Sequence, residues 1–174
     1  MPLQIYADGG YREAAGGVGG WGYLFLEEDG TLVASAGGVQ VTDSPTGGEY
    51  TAIIKALRAA QDAGYQEVEV YSDCTGVVNH LAGRARILSP RVIPRYLRTV
   101  ELLDGFASAT VEYAPRHHPG IRAADALGCE AVDRETEAGF PARWWHKSNT
   151  GAPQGWRAAR AVPAAEGWGS TTPG

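Results

Sequence analysis

Long apolar runs are missing from this chain. No stretch of about 18 apolar residues occurs, so no membrane-spanning helix is expected. No basic segment followed by an apolar one opens the sequence, and the expectation is a cytoplasmic protein. Cysteine is scarce. Cys74 and Cys129 are the only two, too few for a disulfide framework and without the companions a zinc site needs. Excess positive charge is also absent: the formal net charge of -5 argues against a polycationic coat for nucleic acid. Internal repeats are lacking.

Acidic residues are missing locally, and this says more than the net charge. None lies between Asp73 and Glu101, where Arg84, Arg86, Arg91, Arg95 and Arg98 stand. None lies between Glu137 and Glu166, where Arg143, Lys147, Arg157 and Arg160 stand. The acids gather elsewhere, as expected of a protein with an acidic metal site and separate basic contact surfaces.

What is present reads as one globular domain with a tail, for 174 residues of which 44% are hydrophobic. Leu3 to Asp8 alternates between two faces and predicts a strand. A glycine-rich turn is expected at Gly16, Gly17, Gly19 and Gly20. Trp21 to Leu26 and Thr31 to Val41 then predict two strands joined at Asp29-Gly30, a hairpin signal. From Gly47 to Ala63 the period changes: Ile53, Ala56, Leu57 and Ala60 form a helical stripe, and Gly64 ends the helix. Glu67 to Ser72 predicts a strand, Thr75 to Leu81 a short helix, Tyr96 to Leu103 a helix, Ala109 to Ala114 a strand and Ile121 to Glu137 a last helix. The fold class is α/β, a five-stranded mixed sheet of three antiparallel strands plus parallel ones, flanked by helices. Residues 1–138 are expected to form the domain. Residues 139–174 form a basic Pro/Gly/Trp-rich tail carrying Trp144, Trp145, Trp156 and Trp168.

Four acids fall at telling places. Asp8 closes the first strand and Asp73 follows the fourth, so parallel neighbours would deliver both carboxylates to the strand carboxyl ends, where ligands bind in open α/β sheets. Glu49 opens the first long helix on its apolar stripe. Asp125 shares a helix face with the small residues Gly128 and Cys129. Converging carboxylates repel one another, and a hard divalent cation removes the conflict. Two such ions about 4 Å apart serve in-line phosphoryl displacement, which points to phosphodiester hydrolysis. Each acid also has a local reading. Asp8-Gly9 is a turn signal, Thr46 to Glu49 fits a capping box, Asp73 stands where a helix N-cap would, and Asp125 fits a solvated helix face.

Four segments carry a resemblance: IYADGGYREAAGGVGGWGYLF from Ile5, GGEYTAIIKAL from Gly47, VEVYSDCTGVVNHL from Val68 and RHHPGIRAADALGCEAV from Arg116. Over about residues 3 to 137 the chain resembles the ribonuclease H family, in its compact form without a separate hybrid-binding domain. The resemblance implies an Mg²⁺-dependent endonuclease, with Mn²⁺ as substitute. Such an enzyme cuts the RNA strand of RNA–DNA hybrids by a two-metal mechanism and leaves a 3′-hydroxyl and a 5′-phosphate. It implies Asp8, Glu49, Asp73 and Asp125 as metal ligands, with Asp8 bridging the two ions. His118, or else His117, would assist proton transfer or product release. Hybrid contacts are implied at Gly9, Gly10, Thr46, Gly47, Gly48, Cys74, Arg84, Arg86, Arg91, Arg95 and Arg116, and the protein is expected to act as a monomer away from membranes.

One stretch departs from the family. Where members often carry two asparagines before the helix glutamate, this chain has Pro45-Thr46-Gly47-Gly48, which offers glycine amides and a threonine hydroxyl instead. Two other readings stand beside the first: a catalytically silent nucleic-acid-binding module, and a related DNA nuclease such as a junction resolvase. A proofreading exonuclease would place Asp-x-Glu on the first strand, and Asp8-Gly9-Gly10 does not match it.

Overall fold

Side chains alternate along β1 (Leu3–Gly9), and the alternation supplies both sides of the sheet. Leu3, Ile5 and Ala7 join one core, while Tyr6 joins another on the opposite face. The computed structural model describes residues 1–12 and 17–137. Gly16 of the expected turn and the tail with its four tryptophans lie outside these residues. After β1 come β2 (Val18–Leu26), β3 (Leu32–Val41), α1 (Pro45–Asp62), β4 (Glu67–Ser72), α2 (Thr75–Leu81), α3 (Ile93–Asp104), β5 (Ser108–Tyr113) and α4 (Pro119–Glu137).

The strands lie in the order β3-β2-β1-β4-β5. β1, β2 and β3 pair antiparallel, and β4 runs parallel to both β1 and β5. This is the mixed sheet expected from the sequence. One core packs α1 against it through Tyr50, Ile53, Ala56, Leu57 and Ala60, all fully buried. Burying Ile53 and Leu57 contributes about 1.5–3 kcal/mol each. Ile121, Ala131 and Val132 of α4 join the cores that contain Tyr6, Leu24, Val18 and Val39. Gly64, at φ 84°, ends α1 in the left-handed region, where glycine carries no Cβ penalty. Among the described residues no helix is long and apolar enough to cross a membrane.

Several elements begin earlier than their apolar periods suggest. α1 starts at Pro45 because the Ser44 hydroxyl accepts from the Gly47 N–H at 3.1 Å and Pro45 fills a first-turn position that needs no donor. The expected Thr46–Glu49 capping box therefore gives way to a Ser44 cap. α3 starts at Ile93, since Pro94 is tolerated in its first turn. α4 starts at Pro119 for the same reason. β2 reaches back to Val18, so Gly19 and Gly20 are strand residues rather than turn residues.

Those glycines position α4. A Cβ on Gly20 would stand 2.1 Å from the Gly128 carbonyl oxygen, and one on Gly22 would stand 2.0 Å from that of Ala124. Both distances are impossible, so the bare strand backbone lets α4 lie directly on the sheet. Asp125 lies between those two contacts on α4.

Candidate active site

Register brings the first two acids together. β1 and β4 pair from Leu3–Val68 to Tyr6–Tyr71. Two residues further along, the same parallel alignment sets Asp8 beside Asp73. Glu49 arrives from just past the first turn of α1, where its Oε2 accepts from the Gly9 N–H at 3.2 Å. One ligand atom from each of Asp8, Glu49 and Asp73 lies within 4.8 Å of the others, and the three could hold a metal ion. Oxygens in an octahedral shell at about 2.1 Å from the ion stand about 3–4 Å apart, so a small contraction of the cluster completes the fit.

Asp125 comes to the same place from the opposite side. It is exposed, and with Asp8, Asp73, Arg116, His117, Ile121 and Arg122 it lines a cleft of about 460 Å³. Glu49 is not in that lining. Asp8 and Asp73 are thus common to two groups, a buried one completed by Glu49 and an open one completed by Asp125.

Electrostatics report the crowding. Burial first, then the charges of Asp73 and Asp125 and a hydrogen bond with Asp125, push the Asp8 carboxyl up to about 7. Burial and the charges of Asp8 and Asp73 push Glu49 well above the usual carboxylate range. The compensating cation is Arg116, whose Nε donates to Asp73 Oδ2 at 3.0 Å from the loop after β5. That guanidinium is 88% exposed, so water screens its pull on the acids. A site with this donor set and so little counter-charge suits a hard divalent cation.

Local rivals to the chemical reading fall away. Glu49 accepts from Gly9 and leaves the capping to Ser44. The N-cap of α2 is Cys74, with no side-chain cap, so Asp73 is not spent there. The Cys74 N–H donates to Ser72 Oγ, and burial pushes the Cys74 thiol up.

The two loop histidines differ. His118 is half-buried; its Nδ1 accepts from the Gly120 N–H at 3.1 Å, and its ring stacks on Tyr6 at 4.7 Å. His117 is the one that lines the cleft. Sequence reasoning favoured His118, and the stack on Tyr6 had no sequence signal.

The positions expected to meet nucleic acid are spread out. Arg84, Arg86 and Arg91 are exposed in the loop between α2 and α3, with Arg84 Nε donating to Asn79 Oδ1. Arg95 pairs with Asp43 at 3.7 Å, and Arg98 pairs with Glu101. The N–H groups of Gly9, Gly10, Gly47 and Gly48 are all taken within the fold, by Glu49, Gly20, Ser44 Oγ and Ser44 O. Glycine amides are therefore not free to replace the asparagine pair, and half-buried Thr46 is the side chain at that place.

A five-stranded mixed sheet with carboxylates from the end of β1, the start of α1 and the end of β4 defines a ribonuclease H-like domain. Residues 7–131 match the family described as Reverse transcriptase-like, and the chain belongs to this ribonuclease H-like family. It is 33% identical over 131 residues to Ribonuclease HI of Halobacterium salinarum, covering 75% of this chain and 64% of that protein. The crystal structure of RNase H1 from Halobacterium salinarum superposes with a TM-score of 0.71 at 32% identity, over 77% of this chain and 99% of that one. The Bifunctional protein Rv2228c of Mycobacterium tuberculosis is 26% identical, matched over 94% of this chain but 45% of its own length. The chain thus spans between about half and two thirds of these curated relatives. LC11-RNase H1, solved in complex with RNA/DNA hybrid, aligns at 25% identity with a TM-score of 0.69, over 77% of this chain and 99% of that one.

Proposed function

We propose that this chain is a ribonuclease H, a metal-dependent endonuclease that hydrolyses the RNA strand of RNA–DNA hybrids and leaves a 3′-hydroxyl and a 5′-phosphate. The observation that carries this reading is the convergence of Asp8, Glu49 and Asp73 from three elements, with Asp125 across a shared cleft. The likeness to a neighbour solved with RNA/DNA hybrid supports the choice of substrate.

Asp8, Glu49 and Asp73 would hold one Mg²⁺ or Mn²⁺ ion, and Asp8, Asp73 and Asp125 a second. When bound, the ions supply an activated water and neutralise charge at the leaving oxygen. The chain's own residues do the remaining work. Gly9 fixes the Glu49 carboxylate through its N–H. Arg116 holds Asp73 in place and presents an exposed guanidinium at the cleft, placed for a phosphate oxygen. His117, on the cleft wall, is the group placed to take up or give a proton near the leaving group. Arg84, Arg86 and Arg91 would meet phosphates of the duplex and make binding depend on salt.

The test is cleavage of labelled RNA–DNA hybrid beside double-stranded RNA, single strands and branched DNA, with Mg²⁺ and Mn²⁺ varied. Hybrid cleavage that requires metal and is lost in Asp73→Asn is expected. Binding without cleavage would point to a silent module, and preference for branched DNA to a resolvase. Undiminished turnover in Asp73→Asn would remove the carboxylate assignment.

A further inference from the structure

Gln40 is a polar side chain buried in the sheet, 5% exposed. Its Nε2 faces three backbone carbonyls at once: Gly48 at 3.2 Å, Gly10 at 3.4 Å and Gly20 at 3.5 Å. Two hydrogens shared among three acceptors make each bond long. Its Oε1, also buried, has no partner among the described residues. The orientation is nevertheless fixed, because turning the amide over would set Oε1 against three carbonyl oxygens. A buried oxygen left unpaired is costly, and an apolar side chain of similar length would avoid that cost. The donor end must therefore matter.

The three carbonyls belong to the backbone that carries the acids. Gly10 is two residues past Asp8. Gly48 immediately precedes Glu49. Gly20 is the strand residue against which the Gly128 backbone of α4 rests, one turn from Asp125. Gly10 and Gly20 are also joined directly, by Gly10 N–H to Gly20 O at 2.7 Å. Only Asp73 is held separately, by Arg116.

We infer that Gln40 is a positioning residue: its amide draws the β1 end, the α1 start and the α4 seat onto one point and sets the spacing of Asp8, Glu49 and Asp125. This rests on the proposed reading of those acids as metal ligands. Removing the amide leaves three carbonyls facing one another. They spread, the Gly9–Glu49 bond lengthens, and the carboxylates open beyond the reach of one ion. Gln40 touches neither substrate nor metal, so its loss acts through metal affinity.

Gln40→Met removes the donor at similar length, and Gln40→Asn keeps an amide too short to reach. Each is compared with the full-length wild type by calorimetric titration with Mn²⁺ alone, by melting in EDTA, and by the Mn²⁺ dependence of hybrid cleavage. Groups hydrogen-bonded to metal ligands typically change metal affinity about 10–100-fold; Gln40 acts one step further out, through the backbone, so about a tenfold weaker Mn²⁺ affinity is expected in both folded variants, with the KM for hybrid at saturating metal within about twofold. Mn²⁺ affinity within about twofold of wild type in a folded variant would overturn the inference, whatever happens to the melting temperature. So would failure of both variants to fold, since Gln40 would then serve the fold alone. Wild-type protein that binds no Mn²⁺ would sink the metal reading itself, a separate outcome.

Discussion

At the residue scale, the acids conflict until something positive arrives. Asp8 stands at about 7 where the ordinary value is 3.8, so between these pH values the folded chain holds more protons than the unfolded one. Stability of the metal-free protein therefore falls as pH rises from about 4 to about 7 and stays low above that. The full shift corresponds to roughly 4 kcal/mol, and relaxation of the cluster brings the expected loss nearer 1–3 kcal/mol. Melting in EDTA at pH 5 and pH 8 should show this drop. Asp8→Asn should abolish cleavage, melt higher than wild type at pH 8 and flatten the slope; an unchanged slope would mean Asp8 is not the group responsible. The sequence made Asp8 and Asp73 legible because strand ends and parallel pairing are periodic features. It left Glu49 with a rival, since a cap at Ser44 and one at Thr46 read alike until the Gly47 N–H is located.

The loop histidines are also a residue-scale matter. His117 lines the cleft, whereas the His118 ring is spent on Tyr6 and the Gly120 N–H. His117→Ala should slow turnover about 10²-fold or more without changing the melting temperature, as loss of a general acid does. His118→Ala should lower the melting temperature, through a lost stack of about 0.5–1.5 kcal/mol. Steady-state kinetics beside melting separates the two, and the reverse pattern would return the role to His118. Two adjacent histidines in a Pro-Gly loop give no clue to which one turns inward, because the deciding partner, Tyr6, is more than a hundred residues away in the chain.

At the element scale, the position of Asp125 depends on how close α4 comes to the sheet. Gly20 and Gly22 were readable as glycines, but Gly20 as part of a turn. Only the pairing of Asp8 with Gly22 and the contact with Ala124 give these strand glycines a purpose. Gly22→Ala introduces a methyl 2.0 Å from the Ala124 carbonyl oxygen, which neither backbone can absorb in place. α4 must lift, at a cost of about 1–3 kcal/mol for overpacking. Asp125 moves with it, so cleavage should fall by more than the melting temperature alone would explain. Denaturant unfolding alongside kinetics at saturating metal checks this. A destabilised but fully active Gly22→Ala would show that Asp125 is not held to its place by the glycine seat.

At the scale of the whole molecule, the charge distribution and the extent of the domain meet in one question. The sheet, the four helices of the described residues, the acids and the cleft fall within residues 1–137, and the family match ends at residue 131. Ala131 and Val132 of α4 are buried in the core with Val18 and Val39. We propose the boundary at residue 138, and a chain ending there should fold, bind Mn²⁺ as the full chain does and keep its turnover on hybrid at saturating substrate. The removed segment carries Arg143, Lys147, Arg157 and Arg160 with no acid until Glu166, so its loss should act on duplex affinity. Each lost phosphate contact should lower the slope of log affinity against log salt by about 0.7–0.9, and a shallower slope with a raised KM is the expected signature. Equal slopes would place the duplex contacts on Arg84, Arg86, Arg91 and Arg116 instead, and a truncated chain that does not fold would move the boundary into the tail.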